Sequence, residues 1–305
     1  MEITKEPRPL VSFDWAMKRL LRNKANFEVL EGFLSVLLKR SIKIDRILES
    51  ESNQETDRDK SNKVDILVED RNGELMIIEL QYEREFDYYH RMLYGTSKVI
   101  VDYMSRGDKY EMVKKVYSIN IVYLDPGIGH DYVYHGKTEF KGLHHTDEEL
   151  HLSTKQSEKF RKQKAGDIHP EYYILKVNQF DDVAKDPLDE WIYYLKNDRI
   201  KSSFKAPGLD KAREVLEYDL LTPEEKKRYD KALDAALGRE SALDTAKEEG
   251  IEEGIEKGIK EEKRKTVLNA HRSALPIETI SVITGLSQEE IQAIIQQDKT
   301  KETEL

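Results

Sequence analysis

Residues 63–81 read Lys63-Val64-Asp65-Ile66-Leu67-Val68-Glu69-Asp70-Arg71-Asn72-Gly73-Glu74-Leu75-Met76-Ile77-Ile78-Glu79-Leu80-Gln81. Two apolar runs flank a polar Asp-Arg-Asn-Gly turn, which is the pattern of a β-hairpin. A three-residue loop, Arg71-Asn72-Gly73, suits a type I turn followed by a left-handed glycine. In that register Asp70 faces Glu74, and counting back along both strands sets Asp65 opposite Glu79, with β-carbons ~5 Å apart. Gln81, two residues beyond Glu79, points to the same face. Like charges directly opposite one another destabilise a sheet. A divalent cation between them removes that penalty, and an all-oxygen donor set suits magnesium or manganese. Two other readings stay open. A two-residue Asn-Gly loop is equally good turn chemistry and shifts the register by one, turning Asp65 away. The two acids can also be outward residues of an amphipathic hairpin, although Ile77, Ile78 and Leu80 around Glu79 suit a buried strand better.

Outward from the hairpin, composition sets limits. The chain has 305 residues, 38% of them apolar, enough for a large domain plus a small one with a real core. Sixty acids against 50 bases leave a net charge of -10, which argues against loose whole-surface binding of nucleic acid and confines any DNA contact to a local patch. There are no cysteines, so disulfides, thiolate metal sites and a cysteine nucleophile are excluded. No window approaches the ~18 apolar residues of a membrane helix, and Met1 to Ser12 lacks a secretory apolar stretch. A cytoplasmic protein without a membrane partner is expected. P-loop, His-Glu-x-x-His and Gly-x-Ser-x-Gly motifs are missing, which leaves nucleotide hydrolysis, zinc proteolysis and common serine hydrolysis unsupported. His130, His135, His144, His145 and His151 lack a recognised metal-ligand spacing and read as loop and strand-edge residues.

Three segments follow from composition: a body over 1–237, a charged segment over 238–266 and a small helical module over 267–305. Ten of the sixteen tyrosines fall between Tyr82 and Tyr134, inside the body. After the hairpin, Arg84 to Met104 reads as a helix with Phe86, Tyr89, Leu93 and Ile100 at core spacing and Arg91 off that row. Lys98, Arg106, Lys109, Lys114 and Lys115 read as solvated surface. Lys155, Lys159, Arg161, Lys162 and Lys164, diluted only by Glu158, form a sharper basic cluster able to hold a DNA backbone or to remain a solvated loop. Thr222-Pro223-Glu224-Glu225 supplies a helix start.

Gly250, Gly254 and Gly258 recur every four residues, each followed by isoleucine, in a low-complexity repeat of a fraying connector or of a helix that needs a partner. That partner is most simply a second copy of the chain. Pro276 to Thr284, Gly285, and Ser287 with Glu290 spell two short helices joined like a helix-turn-helix unit. Ser287 to Gln297 holds no lysine or arginine, so a structural or protein-binding module is favoured over a DNA reader.

An Asp, a hairpin and then Glu-Leu-Gln resemble the PD-(D/E)XK nuclease motif, in which a third residue, usually lysine, orients the attacking water. More closely, the chain resembles the Rpn family of recombination-promoting nucleases, often labelled transposases, whose branch carries glutamine there. Asp14 and Lys18 resemble the family's opening helix, Val64-Asp65-Ile66 and Ile78-Glu79-Leu80-Gln81 its core motif, and Arg91, Tyr94 and Ser97 the helix that follows. The Gly-Ile repeat and Thr284-Gly285-Leu286-Ser287 resemble its C-terminal extension. The resemblance implies an α/β fold, a mixed sheet flanked by helices and followed by an all-helical extension. It also implies divalent-metal-dependent (Mg2+ or Mn2+) hydrolysis of DNA phosphodiester bonds, tied to recombination or mobile elements. Asp65 and Glu79 would hold the metal and Gln81 would orient the water, with Arg91 against a phosphate and Glu31 as a further acid from the first helix. The alternative is a weak or inactive nuclease fold that serves as a DNA-binding or protein-interaction module and assembles through its C-terminal helices.

Overall fold

A computed structural model describes residues 15–16, 24–48, 65–82, 84–145 and 147–303. Among them six strands form one mixed sheet: β1 (Ile44–Leu48), β2 (Ile66–Asp70), β3 (Leu75–Gln81), β4 (Val116–Val122), β5 (Val133–Gly136) and β6 (Glu171–Lys176), in the order β1-β2-β3-β4-β6-β5. The hairpin takes the three-residue loop. Ile66 pairs with Ile78 and Glu69 with Leu75, so the register continues to Asp65 opposite Glu79. Asp70 N donates to Glu74 O at 3.0 Å, Gly73 N donates to Asp70 O at 2.9 Å, and Gly73 has φ +77°, a value that favours glycine. The Asp70 side chain, 2% exposed, accepts from Asn72 N and Glu74 N at 2.9 Å each and pins the loop. The two-residue turn is thereby excluded.

β3 and β4 run parallel and are joined through α2 (Tyr88–Asp102); β4 and β6 are also parallel. One sheet face carries Ile66, Val68, Ile78, Ile119, Ile121 and Leu175. These pack with α1 (Phe27–Leu37), α4 (Pro187–Asn197) and α5 (Leu209–Val215) through Phe33, Trp191 and Leu209. The other face carries Leu67, Leu75, Ile77 and Val116, and Val99 of α2 covers them. Asp65, Glu79 and Gln81 belong to this second face by strand alternation.

Two sequence expectations fail here. The buried row of α2 is Tyr88, Gly95, Thr96 and Val99, whereas Phe86 before the helix is 99% exposed and Tyr89 and Leu93 are exposed as well. Of the expected row only Ile100 packs, half-buried, against the cluster on that second sheet face, while the small Gly95 and Thr96 stand in the buried row. Lys115 is buried rather than solvated, because its ammonium pairs with Glu171 at 2.8 Å and donates to His169 O.

The chain divides into two compact units, Met1–Tyr229 and Asp230–Leu305. Helix α6 (Pro223–Arg272) opens at the expected start, where Thr222 and Glu225 exchange hydrogen bonds. Along it Ile251, Ile255 and Ile259 are 52, 58 and 55% exposed, and nothing stands within 4 Å of a Cβ at Gly250, Gly254 or Gly258. In the second unit Val267 and Ala270 form a small core with Ile280 of α7 (Ile277–Thr284) and Ile291 of α8 (Gln288–Thr303). Gly285 stops α7 at φ +68°, and Ser287 and Glu290 cap α8 reciprocally, as the sequence predicts. No helix among the described residues is long and apolar enough to cross a membrane.

Candidate active site

Asp65 stands just before β2, and its Oδ2 accepts a hydrogen bond from Leu80 N at 2.8 Å. That bond ties the head of β2 to the residue after Glu79 and holds the two acids across the hairpin. On its other side Glu79 is paired with Asn120 of β4. Glu79 is half-buried. Burial pushes its carboxyl up to about 7; the Arg91 guanidinium opposes this, while the Asp65 and Glu85 carboxylates add to it.

Gln81 is buried and held at both ends of its amide. Its Oε1 accepts from Arg91 Nη2, and its Nε2 donates to Glu85 Oε1 at 3.2 Å. Arg91 Nε lies 3.2 Å from Glu85 Oε2, which closes a three-residue bridge. The guanidinium also lies 5.7 Å from the centroid of the Tyr88 ring. Tyr88 is 2% exposed, and burial beside the Glu79 carboxylate holds its hydroxyl firmly protonated. The start of β2, the end of β3 and the first turn of α2 thus bring Asp65, Glu79, Gln81 and Arg91 to one place.

Other predicted residues lie elsewhere. Glu31 Oε1 accepts from Ile44 N at 2.9 Å and its Oε2 meets Lys43 Nζ at 2.6 Å, so it anchors the start of β1. Ile44 pairs with Asp70, a strand length (~16 Å) from Asp65, and α1 packs on the opposite sheet face. The basic cluster around α3 (Thr154–Phe160) is largely committed to acids: Lys159 to Glu111, Lys164 to Glu149, and Lys162 to Glu74 at 2.6 Å. Lys155 and Arg161 are exposed. Because Glu74 flanks the hairpin loop, this cluster lies at the end where β3 begins, ~16 Å along the strand from Glu79. His135 sits 2.8 Å from Glu171 and stacks on Tyr173. Asp14 and Lys18 lie outside the described residues.

Three site residues escaped the sequence reading: Glu85, Tyr88 and Asn120. For Asn120 a signal existed, since Ser118 and Asn120 alternate through the otherwise apolar Val116-Tyr117-Ser118-Ile119-Asn120-Ile121-Val122. Both are buried, and a polar pair on one face of a buried strand needs partners there.

A family model described as PD-(D/E)XK nuclease family transposase matches residues 11–246. The chain belongs to this PD-(D/E)XK family. No curated protein and no solved structure matches it. Family membership carries a nuclease-like function, DNA as the class of substrate and the general use of divalent metal ions by PD-(D/E)XK nucleases. The donor set fits such an ion: two opposed carboxylates, one of them in a setting that disfavours its bare charge, supply the hard oxygens that magnesium or manganese takes. Two further buried oxygens beside Glu79, Tyr88 Oη and Asn120 Oδ1, have no hydrogen-bond partner among the described residues. Among the described residues no third acid or histidine joins the pair.

Proposed function

We propose that this PD-(D/E)XK family chain is a divalent-metal-dependent DNA endonuclease with Asp65 and Glu79 as metal ligands and Gln81 as the residue that orients the attacking water. The observation that carries the reading is the hairpin register, which puts two carboxylates opposite each other beside the Gln81–Glu85–Arg91 bridge. A bound Mg2+ or Mn2+ supplies Lewis acidity to the phosphate and lowers the pKa of a bound water. Gln81 orients a water by hydrogen bonding but carries no charge. Arg91, whose guanidinium donates to Gln81, provides the cation that lysine contributes in the wider motif and meets the scissile phosphate. Glu31 and the basic cluster at Lys155, Lys159, Arg161, Lys162 and Lys164 have no role in this scheme. The absence of cysteine suits a cytoplasmic setting, and the transposase family suits a role in recombination or mobile elements.

A second copy is the proposed partner of α6. Residues 248–256 hold five acids and no base, whereas 257–265 hold five bases against two acids. Antiparallel pairing about Ile255 opposes those halves and covers Ile251, Ile255 and Ile259 in an isologous contact.

The weak or inactive module remains the rival, favoured by the two-carboxylate donor set and by the engagement of Gln81 at both ends. Nicking of supercoiled DNA decides between them. The enzyme predicts cleavage that requires magnesium or manganese and is lost at least 100-fold in Asp65→Asn and in Glu79→Gln, with the fold unchanged. Undiminished nicking by both purified variants sinks the assignment, and a wild type inert with either metal supports the module.

A further inference from the structure

Among the described residues two buried oxygens beside Glu79 lack hydrogen-bond partners, and their chemistry is complementary. Tyr88 Oη belongs to a side chain 2% exposed, has no hydrogen-bond partner, and among neighbouring charges feels the Glu79 carboxylate most. Asn120 is fully buried on β4, one strand over from Glu79 and on the same sheet face. Its Nδ2 donates to Ser118 Oγ at 3.0 Å and to Tyr173 O at 3.2 Å. Flipping the amide would turn its oxygen against the Tyr173 carbonyl, so the assignment is fixed and Oδ1 is the atom left unpartnered.

Asn120 Oδ1 and a Glu79 carboxyl oxygen that carries no proton are both acceptors and cannot bond one another, while Tyr88 offers one donor. A single water matches all three, since it accepts once and donates twice, and three bonds are usual for a buried water. We infer that Tyr88 and Asn120 are positioning residues that hold one buried water against Glu79. Tyr88 Oη donates to the water, which donates to Asn120 Oδ1 and to one Glu79 oxygen. The bonded oxygen fixes the carboxylate plane and leaves the other free to face Asp65. The functional part of this inference rests on Glu79 as a metal ligand; the water itself does not.

The test is made on metal-free full-length protein as wild type, Tyr88→Phe, Asn120→Leu and the double variant. Tyr88→Phe keeps the ring under Arg91 and preserves the packing. If the water links the two residues, Tyr88→Phe lowers the unfolding midpoint, and the double variant loses several degrees less than the sum of the singles. A midpoint unchanged or raised in Tyr88→Phe, or strictly additive losses, overturns the inference. A high-resolution crystal structure gives a second readout that holds if Asn120→Leu fails to fold: a water within hydrogen-bond distance of all three atoms supports the inference, and its absence refutes it. Manganese titration of folded Tyr88→Phe then separates positioning from packing. An affinity about tenfold weaker with unchanged circular dichroism is expected, and unchanged affinity refutes positioning. A wild type that binds no manganese overturns the proposed function while the unfolding cycle still decides the water.

Discussion

Glu79 lies between Asp65 across the hairpin and Asn120 on the neighbouring parallel strand, and its carboxyl is raised to about 7 chiefly by burial. Between pH 4.5 and 7 the folded protein therefore keeps a proton that the unfolded chain has lost. The stability from protonated Glu79 is complete below pH 4.5 and is lost as pH rises through 7. Its size is of order 2 kcal/mol after allowance for partial solvent access. Urea unfolding in chelator at pH 5 and pH 8 should show wild type losing more stability over that step than Glu79→Gln, with magnesium at pH 8 restoring part of the loss. Asp198, also raised to about 7 by burial, titrates in both proteins and cancels from the comparison. Parallel pH profiles would show that the Glu79 environment is wet.

At the scale of elements, the hairpin and the helix after it were legible, but the buried face of that helix was not. Asp70, Asn72 and Gly73 are local turn chemistry, and once the turn is set, the period-2 alternation of two strands fixes which acids face each other. Asp70→Ala removes the acceptor for Asn72 N and Glu74 N and should cost about 2 kcal/mol in urea unfolding. Loosened register should also weaken manganese binding at Asp65 and Glu79; tight binding with full stability would mean that the strands alone set the register. Around α2 the large apolar residues Phe86, Tyr89, Leu93 and Ile100 suggested the core row. The buried row instead includes the small Gly95 and Thr96, which hydropathy ranks low. The same limit hid Glu85 and Tyr88. Gln81, Glu85 and Arg91 meet because the strand end and the helix start are brought together, and Glu31 was misplaced because the first helix covers the other sheet face. In the basic cluster Lys159 and Lys162 pair with Glu111 and Glu74, which lie far from it in sequence, and Lys164 pairs with the nearer Glu149.

At the scale of the whole molecule, catalysis is assigned to the unit Met1–Tyr229 and self-association to α6. Truncation after Leu237 should keep metal-dependent nicking and lower the sedimentation mass to that of one chain. Ile255→Glu in the full chain should do the same to the mass, because it places a charge where the isoleucine row crosses itself. A full-length protein that sediments as one chain at all concentrations would contradict the pairing. The salt dependence of DNA binding should change little on truncation, since Ser287 to Gln297 brings no basic side chain to phosphate. The central claim, that Asp65 and Glu79 share a divalent ion, is tested most directly by anomalous diffraction from crystals soaked in manganese. The expected result is a peak within coordination distance of both carboxylates, absent from crystals of Asp65→Asn. Manganese bound elsewhere, with the two carboxylates left bare, would contradict it.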